Sequence, residues 1–331
     1  MSKIAVDIMS GDNPPEVLID GCLLYINKTN DDIIIIGDKN KIEKYLSYHQ
    51  YEKRKIEIVE SSEVIKMTDN PLTAYREKKD SSIVIGSKLV REKKVAGFFS
   101  PGNTGAVVTS VLFEIGRIKG IKRPALAAIL PNVKNFTILI DAGANVDCKP
   151  IFLLQFAIMA KIFSEKVLNK ENPKIGLLSN GEEDIKGNSL TKDAFKLLSE
   201  RDDLNFIGNI EGYNLVDGSV DIIVSDGFYG NIALKSVEGT AKAIMTLLKH
   251  KIKQSIISSI GGLLLKNSLI EIKEIMDPRE YGGAPLLGVN GEIIIGHGNS
   301  DEIATYNGLR ILKRMVDLDV NNIISKTIRF S

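Results

Sequence analysis

The chain is poor in the side chains that hold metals or staple small folds. It has two cysteines, Cys22 and Cys148, with no CxxC pair, and three histidines, His49, His250 and His297. That argues against a disulfide framework and a multi-histidine metal site, and it fits a reducing cytoplasm. An excess of one charge is also missing: 43 Lys and Arg face 42 Asp and Glu, a formal net charge of +1. No global field draws the chain onto nucleic acid, so an anionic ligand must be held locally. No apolar run reaches the roughly 18 residues of a membrane-spanning helix. The first residues, Met1 to Asp7, read as a strand and lack the apolar stretch of a leader.

Familiar catalytic signatures are absent too. There is no GxxxxGK(S/T), which the 181–189 segment matches only superficially, and no GxGxxG, GxSxG or HExxH. A P-loop nucleotidase, a dinucleotide-binding fingerprint, a hydrolase elbow and a zinc protease are thereby set aside. Cys148 is open as a nucleophile, although lone cysteines are mostly inert.

What is present is rhythm. β-Branched runs at 4–8, 32–36, 56–59, 95–99, 136–140, 174–178, 222–225 and 292–295 alternate with helical periodicity at 16–27, 82–93, 104–116, 152–168, 190–200, 232–249 and 302–316. Continuous apolar strands are expected where both sheet faces are covered. The alternation predicts a doubly wound, three-layer α/β/α fold. No repeat or linker marks a boundary, so 1–331 reads as a single unit. Residues 249–278 break the pattern as a protruding amphipathic helical hairpin, joined near Gly261-Gly262. It carries Ile256, Ile260, Leu263 and Leu264 inside a collar of Lys249, Lys251, Lys253 and Lys266. Three uses are open: packing on a partner subunit, contact with a membrane surface, or docking of an acidic protein.

Turns carry the chemical signal. Gly-Asn precedes helical segments at 102–103, 187–188, 230–231 and 298–299. Asn there caps a helix, and the same helix N-terminus presents N–H donors to an anion. The turn Gly102, Asn103, Thr104, Gly105 directly follows a strand, where ligands gather in doubly wound sheets. Asp141 to Lys149 places two acids, an amide and a lysine at another strand end. Asp226 opens a third such turn.

Several segments together resemble the phosphate acyltransferase PlsX family: KIAVDIMSGDNPPE at 3–16, SPGNTGAVVTSVLFEIGRIKGIKRPALAAILP at 100–131, LIDAGANVDCKP at 139–150, GLLSNGEEDIKGNSLTKDAF at 176–195, NFIGNIEG at 205–212, DIIVSDGFYGNIALKSVEG at 221–239, and YGGAPLLGVNG with IGHGNSD at 281–301. The resemblance runs over nearly the whole chain in the family's order. It implies a fold similar to isopropylmalate dehydrogenase and phosphotransacetylase. It implies attack of inorganic phosphate on the thioester of an acyl–acyl carrier protein, giving acyl-phosphate for phospholipid synthesis. It also implies a homodimer, no metal or other cofactor, and a product that feeds glycerol-3-phosphate acylation, for which a membrane glycerol-3-phosphate acyltransferase is the expected consumer; with the apolar tip, a cytoplasmic protein in peripheral contact with the membrane is expected. Three positions depart from the family: Ser10 and Pro101 in the early turns, and Tyr229, where a smaller hydroxyl residue is usual.

Phosphate attack is largely a positioning task, with donors for the tetrahedral oxyanion. The expected phosphate and acyl contacts are Asp7, Gly102, Asn103, Thr104, Gly105, Asp141, Lys186 and Asp226. Asn145, Asn188, Asn231 and Lys149 are the expected groups around the reacting carbonyl. His297 stands either as proton donor to the leaving thiolate or as a structural histidine. Two other readings remain: a coenzyme A-dependent phosphotransacylase, and a non-catalytic phosphate- or lipid-binding protein of the same fold.

Overall fold

The computed structural model describes residues 3–275 and 277–329. Its eleven strands are β1 (Ile4–Asp7), β2 (Ile33–Gly37), β3 (Ile56–Glu60), β4 (Gly97–Ser100), β5 (Ala125–Pro131), β6 (Phe136–Ile140), β7 (Ile175–Leu178), β8 (Phe206–Ile210), β9 (Ile222–Val224), β10 (Ala284–Leu287) and β11 (Glu292–Ile295). They form one sheet in the order β3-β2-β1-β4-β11-β10-β5-β6-β9-β7-β8. β3, β2, β1, β4 and β11 are mutually parallel, as are β6, β9, β7 and β8. Three antiparallel pairings, β11 with β10, β10 with β5 and β5 with β6, join the two blocks and reverse the strand direction between them.

Alternate residues of the strands feed two cores, as the period-2 pleat requires. Ile4, Val6, Ile33 and Ile35 face one side, with residues of α1 (Pro15–Lys28), α2 (Lys39–Leu46), α6 (Pro150–Val167), α7 (Ser189–Ser199), α11 (Glu302–Asp317) and α12 (Val320–Arg329). Ala5, Ile34 and Ile36 face the other, with α3 (Pro71–Glu77), α4 (Ser82–Arg91), α5 (Thr104–Glu114) and α8 (Gly227–Ile252). The three-layer α/β/α expectation holds, with a mixed sheet. Strands β5, β8 and β10 had no counterpart among the sequence-read strands.

The helical excursion is α8, α9 (Ile256–Leu264) and α10 (Lys266–Ile275); Met276, within the 249–278 segment of the sequence reading, lies outside the described residues. Its hinge differs from expectation. Gly261 and Gly262 lie inside α9, and the break falls at Leu265. A Cβ on Gly262 would collide with Ile252, so this glycine serves close packing of α9 on the end of α8. Two Gly-Asn pairs are likewise not caps. Asp226 caps α8, accepting from the N–H groups of Phe228 and Tyr229, and Asp301 caps α11, accepting from Ala304. In each case a carboxylate, before Asn231 in the one and after Asn299 in the other, is the stronger acceptor at a positive helix end.

One buried acid lies away from these turns. Glu292 begins β11 and is 5% exposed. Its Oε1 accepts from the Asn321 backbone N–H, while Oε2 and both side-chain polar atoms of Asn321 lack partners among the described residues. Burial pushes its pKa up to about 8; the Asn321 N–H opposes this and the Asp319 charge adds to it. A carboxyl raised on folding contributes stability below the free-chain value of 4.5 and loses it as pH climbs to about 8. Wild-type unfolding free energy should therefore fall through that window by up to about 1.4 kcal/mol per pH unit. Glu292→Gln should flatten the slope, measured by urea unfolding at stepped pH; an unchanged slope would show that Glu292 is not its source.

Candidate active site

Two hubs gather the turns. The first sits at the C-terminal ends of β1, β4 and β11. Asp7 is fully buried and accepts from the N–H groups of Met9 and Ser10 and from the Ser100 hydroxyl. Ser100 Oγ in turn accepts from the Gly102 N–H. Asp12 N–H donates to the Gly298 carbonyl at 2.6 Å, and Asn13 donates to the carbonyls of Asn299 and Ser300. Asp7 thus fixes the turns by acting as an acceptor.

Asn103 caps α5, accepting from Ala106. Its Nδ2 donates to the carbonyls of Met67 and Asp69, so both amide hydrogens are spent on the neighbouring loop. Pro71 lies where a Cβ on Gly105 would point. What the turn still offers an anion is the Thr104 hydroxyl and the first-turn N–H groups of Thr104 and Gly105. Pro101 and Ser10 fit this hub: Pro101 packs beside Gly11, and the Ser10 hydroxyl lies 3.5 Å from that of Ser82.

The second hub follows β6 and β9. Asp141 is fully buried. Its Oδ1 accepts from the N–H groups of Leu126, Gly143 and Ala144, and its Oδ2 from the N–H and side-chain Nδ2 of Asn145. Burial pushes its carboxyl up, while these donors pull it down. Every partner donates, so the hub is built around the carboxylate. Asn145 also donates to the Pro124 carbonyl, which spends its second amide hydrogen. The Asn145 carbonyl accepts from Gly227 N–H at 2.7 Å, tying the loop to α8. Glycine is required at both contact points on α8. A Cβ on Gly227 would strike Asn145 and the Asp141 carboxylate, and one on Gly230 the Asp141 carbonyl.

Asn231 follows on α8 with its side chain beside Gly143. It is exposed, and its amide has no partner among the described residues. Asn188 caps α7, accepting from the Thr191 N–H and hydroxyl, so its NH₂ also remains available. Lys149 precedes α6, and Lys186 lies in the loop after β7; neither forms an ion pair among the described residues. Cys148 is half-buried and donates to the Asn145 carbonyl. Burial pushes its thiol up to about 12, helped by the charges of Asp141 and Asp226 and opposed by the Gly227 N–H and Arg123. At neutral pH it is a protonated thiol, a poor nucleophile. Arg123 has no place in the sequence reading. It stands three residues after the Gly120 turn, within the 100–131 segment, and only the fold brings it toward Cys148.

Asp141, Asn145, Asp226 and Asn231 are therefore brought together. Lys149 follows Cys148 and Asn188 stands two residues before Leu190; Cys148 and Leu190 line one depression with Asp226, while no contact among the described residues brings Lys186 to them. The 102–105 turn belongs to the other hub. His297 follows β11 beside the first hub, within electrostatic reach of Lys235 and Glu238 on α8. Crowding by protein atoms lowers its pKa, Glu238 raises it and Lys235 lowers it; the residue is exposed, so solvent screens all three.

The fold is similar to that of solved phosphotransacetylases. A phosphotransacetylase from Streptococcus pyogenes superposes with a TM-score of 0.64 at 16% identity, covering 96% of this chain and 94% of that one. A branched-chain phosphotransacylase from Enterococcus faecalis gives 0.59 at 15%, covering 96% and 99%. In sequence, a phosphate acyltransferase of Dictyoglomus turgidum is 47% identical over 96% of this chain and 95% of its own. One from Clostridioides difficile is 46% identical over 98% and 96%. The model of the fatty acid synthesis protein family matches residues 2–323. The chain belongs to that family and is an acyltransferase.

The Asp141 hub is testable. An asparagine there presents NH₂ on one side, so at least two N–H donors lose their acceptor in either orientation. Asp141→Asn should lower the unfolding free energy by about 2–4 kcal/mol and abolish detectable turnover, read by urea unfolding and by product formation. A variant with wild-type midpoint and rate would show that the hub does not depend on the charge.

Proposed function

We propose that this chain transfers a fatty acyl group from the thioester of an acyl–acyl carrier protein to inorganic phosphate, releasing acyl-phosphate for membrane phospholipid synthesis. The observation that carries the reading is the 47% identity, over 96% of the chain, to a curated phosphate acyltransferase. Residues 1–331 act as one catalytic unit.

Chemistry is assigned to the second hub. Asn188 and Asn231 are the amides with hydrogens to spare, so they are the donors for the tetrahedral oxyanion. Lys149 and Lys186 supply positive charge for the attacking phosphate, with the N-terminus of α7 adding its first-turn N–H groups. Asn145 and Asp141 act through the loop they hold rigid. Asp226 fixes the start of α8 and so the position of Asn231. His297 stands as the acid for the leaving thiolate. Asn103 is a holding residue in this scheme, because its amide hydrogens are already committed.

The exposed surface supports association with lipid and with a second copy. Ile256, Ile257, Leu263 and Leu264 are each 70–84% exposed at the tip. Lys249, Lys251, Lys253 and Lys266 around them are exposed as well. An apolar tip with a cationic collar fits an anionic membrane surface. No helix of the described residues is long and apolar enough to cross a membrane. Ile244, Leu247 and Leu248 on the shaft of α8 are exposed and suit homodimer contact. A membrane glycerol-3-phosphate acyltransferase is the proposed consumer of the product.

Hydroxylamine trapping of acyl-phosphate tests the reaction, with acyl–carrier protein and acyl-coenzyme A compared as donors. Absence of trapped product with both donors would remove it. Lys186→Ala should raise the phosphate KM at least tenfold, whereas Asn103→Ala should lower thermal stability and leave that KM within about twofold. The reverse pattern would move phosphate to the first hub. For the tip, Lys251→Glu with Leu264→Glu should abolish pelleting with anionic liposomes at unchanged oligomeric state; undiminished pelleting would refute lipid contact there.

A further inference from the structure

The loop that leads into β5 is a cationic surface beside the second hub. Residues 115–140 contain no Asp or Glu, and Arg117, Lys119, Lys122 and Arg123 stand close together near their start. All four are exposed, and none forms an ion pair among the described residues. Glu114, the acid just before them, is already held by Arg91 and by the Tyr75 hydroxyl. A run of like charge on a loose loop is ordinary solvated surface. This one is fastened. Ile118 and Ile121 are its buried anchors. Gln155 of α6, itself buried, accepts from the Lys122 N–H at 2.8 Å and donates to the Gly120 carbonyl at 3.0 Å. Gly120, at a φ of 100°, takes the left-handed turn between them. The Arg117 guanidinium donates to the Lys122 carbonyl, and Arg123 lies 6.0 Å from the centre of the Phe152 ring.

Strand direction places the loop at the reacting end of the sheet. β5 runs antiparallel to β6, with Ala127 opposite Ile140, so β5 starts where β6 gives way to Asp141. Pro124, directly after Arg123, offers its carbonyl to Asn145, and Leu126 donates its N–H to Asp141. The four cations are spread along an exposed, rigid loop rather than gathered in a cavity. That suits a broad acidic surface better than a single small anion. We propose that this loop docks the acidic face of the protein that carries the thioester, and so delivers the thioester to the second hub; the assignment rests on the acyl-transfer reading above. The lysine collar of the tip has the same charge in the wrong place. Lys249 lies near the far end of α8, about 33 Å along the helix from Gly227. A carrier docked there holds its thioester far from Asn231.

Titration of the full chain with fluorescently labelled holo-acyl carrier protein tests this. Lys119→Glu with Lys122→Glu alters two exposed side chains and leaves the backbone contacts of the loop in place. The pair should raise the carrier-protein Kd about tenfold or more at low ionic strength, and the carrier-protein KM with it, while the phosphate KM stays within about twofold. Salt at about 0.5 M should bring the wild type toward the variant. Lys251→Glu with Lys253→Glu should leave that Kd within about twofold. Should the Glu pair not fold, Lys119→Gln with Lys122→Gln carries the same reading with a rise of about threefold. An unchanged Kd in the loop variants, an equal loss in the collar pair, or a matching rise in the phosphate KM overturns the proposal. Hydroxylamine trapping with the unaltered chain separates the two readings. Acyl-phosphate formed from the carrier protein alongside an unchanged Kd in the loop pair removes the docking surface alone. No acyl-phosphate alongside a raised Kd removes the reaction and keeps the surface.

Discussion

The second hub depends on one buried carboxylate. Asp141 directly follows β6 with no solvent contact and takes five N–H donors from the start of β5 and from its own loop. An ion so placed is tolerable only if its lone pairs are filled, and here they are. The cost of breaking the arrangement is what makes the loop rigid. Asn145 is held by that carboxylate and passes the constraint on, its carbonyl taking the Gly227 N–H. Two glycines let α8 approach to backbone contact. The position of Asn231 therefore follows from Asp141 through one loop and one helix turn, without direct contact between them being needed.

Asp7 performs the matching task in the first block, and the two acids were readable as candidates but not in role. In the sequence each is an acid at a strand end, the usual place for a ligand contact. In the structure each is an acceptor for the turn that follows it. The same reversal applies to Asn103 and Asn145. An amide in a glycine-rich turn reads as a donor to a ligand, but both have committed their two hydrogens to protein carbonyls or to Asp141. Asn188 and Asn231 keep theirs. No spacing rule separates these pairs, because the distinction is set by carbonyls that arrive from distant segments, such as Met67 for Asn103 and Pro124 for Asn145.

The fold was more legible than the site. Continuous apolar runs located eight of the strands, since burial on both faces leaves that mark locally. The strands that escaped do so for stated reasons. β5 is ALAAILP, whose alanines carry little strand preference. β8 contains a glycine and an asparagine, and β10 a proline near its start. β5 and β10 make the antiparallel seam, so the reversal between the two parallel blocks was invisible along with them. Gly262 misled in the other direction: a glycine pair reads as a turn, whereas here it permits helix contact.

Helix α8 joins features that the sequence presents separately. Its 26 residues span about 39 Å at 1.5 Å per residue. The first turn carries Asp226, Phe228, Tyr229 and Asn231; the middle passes His297; the far end supports the apolar tip. Only Gly227, Gly230 and Leu234 are buried along it, so little of its length is anchored by this chain's own core. Its far end packs instead against α9, where Gly262 meets Ile252. The two glycines that fit α8 against the Asp141 loop set how little movement is tolerated there, since backbone contacts leave no side chain to absorb a shift.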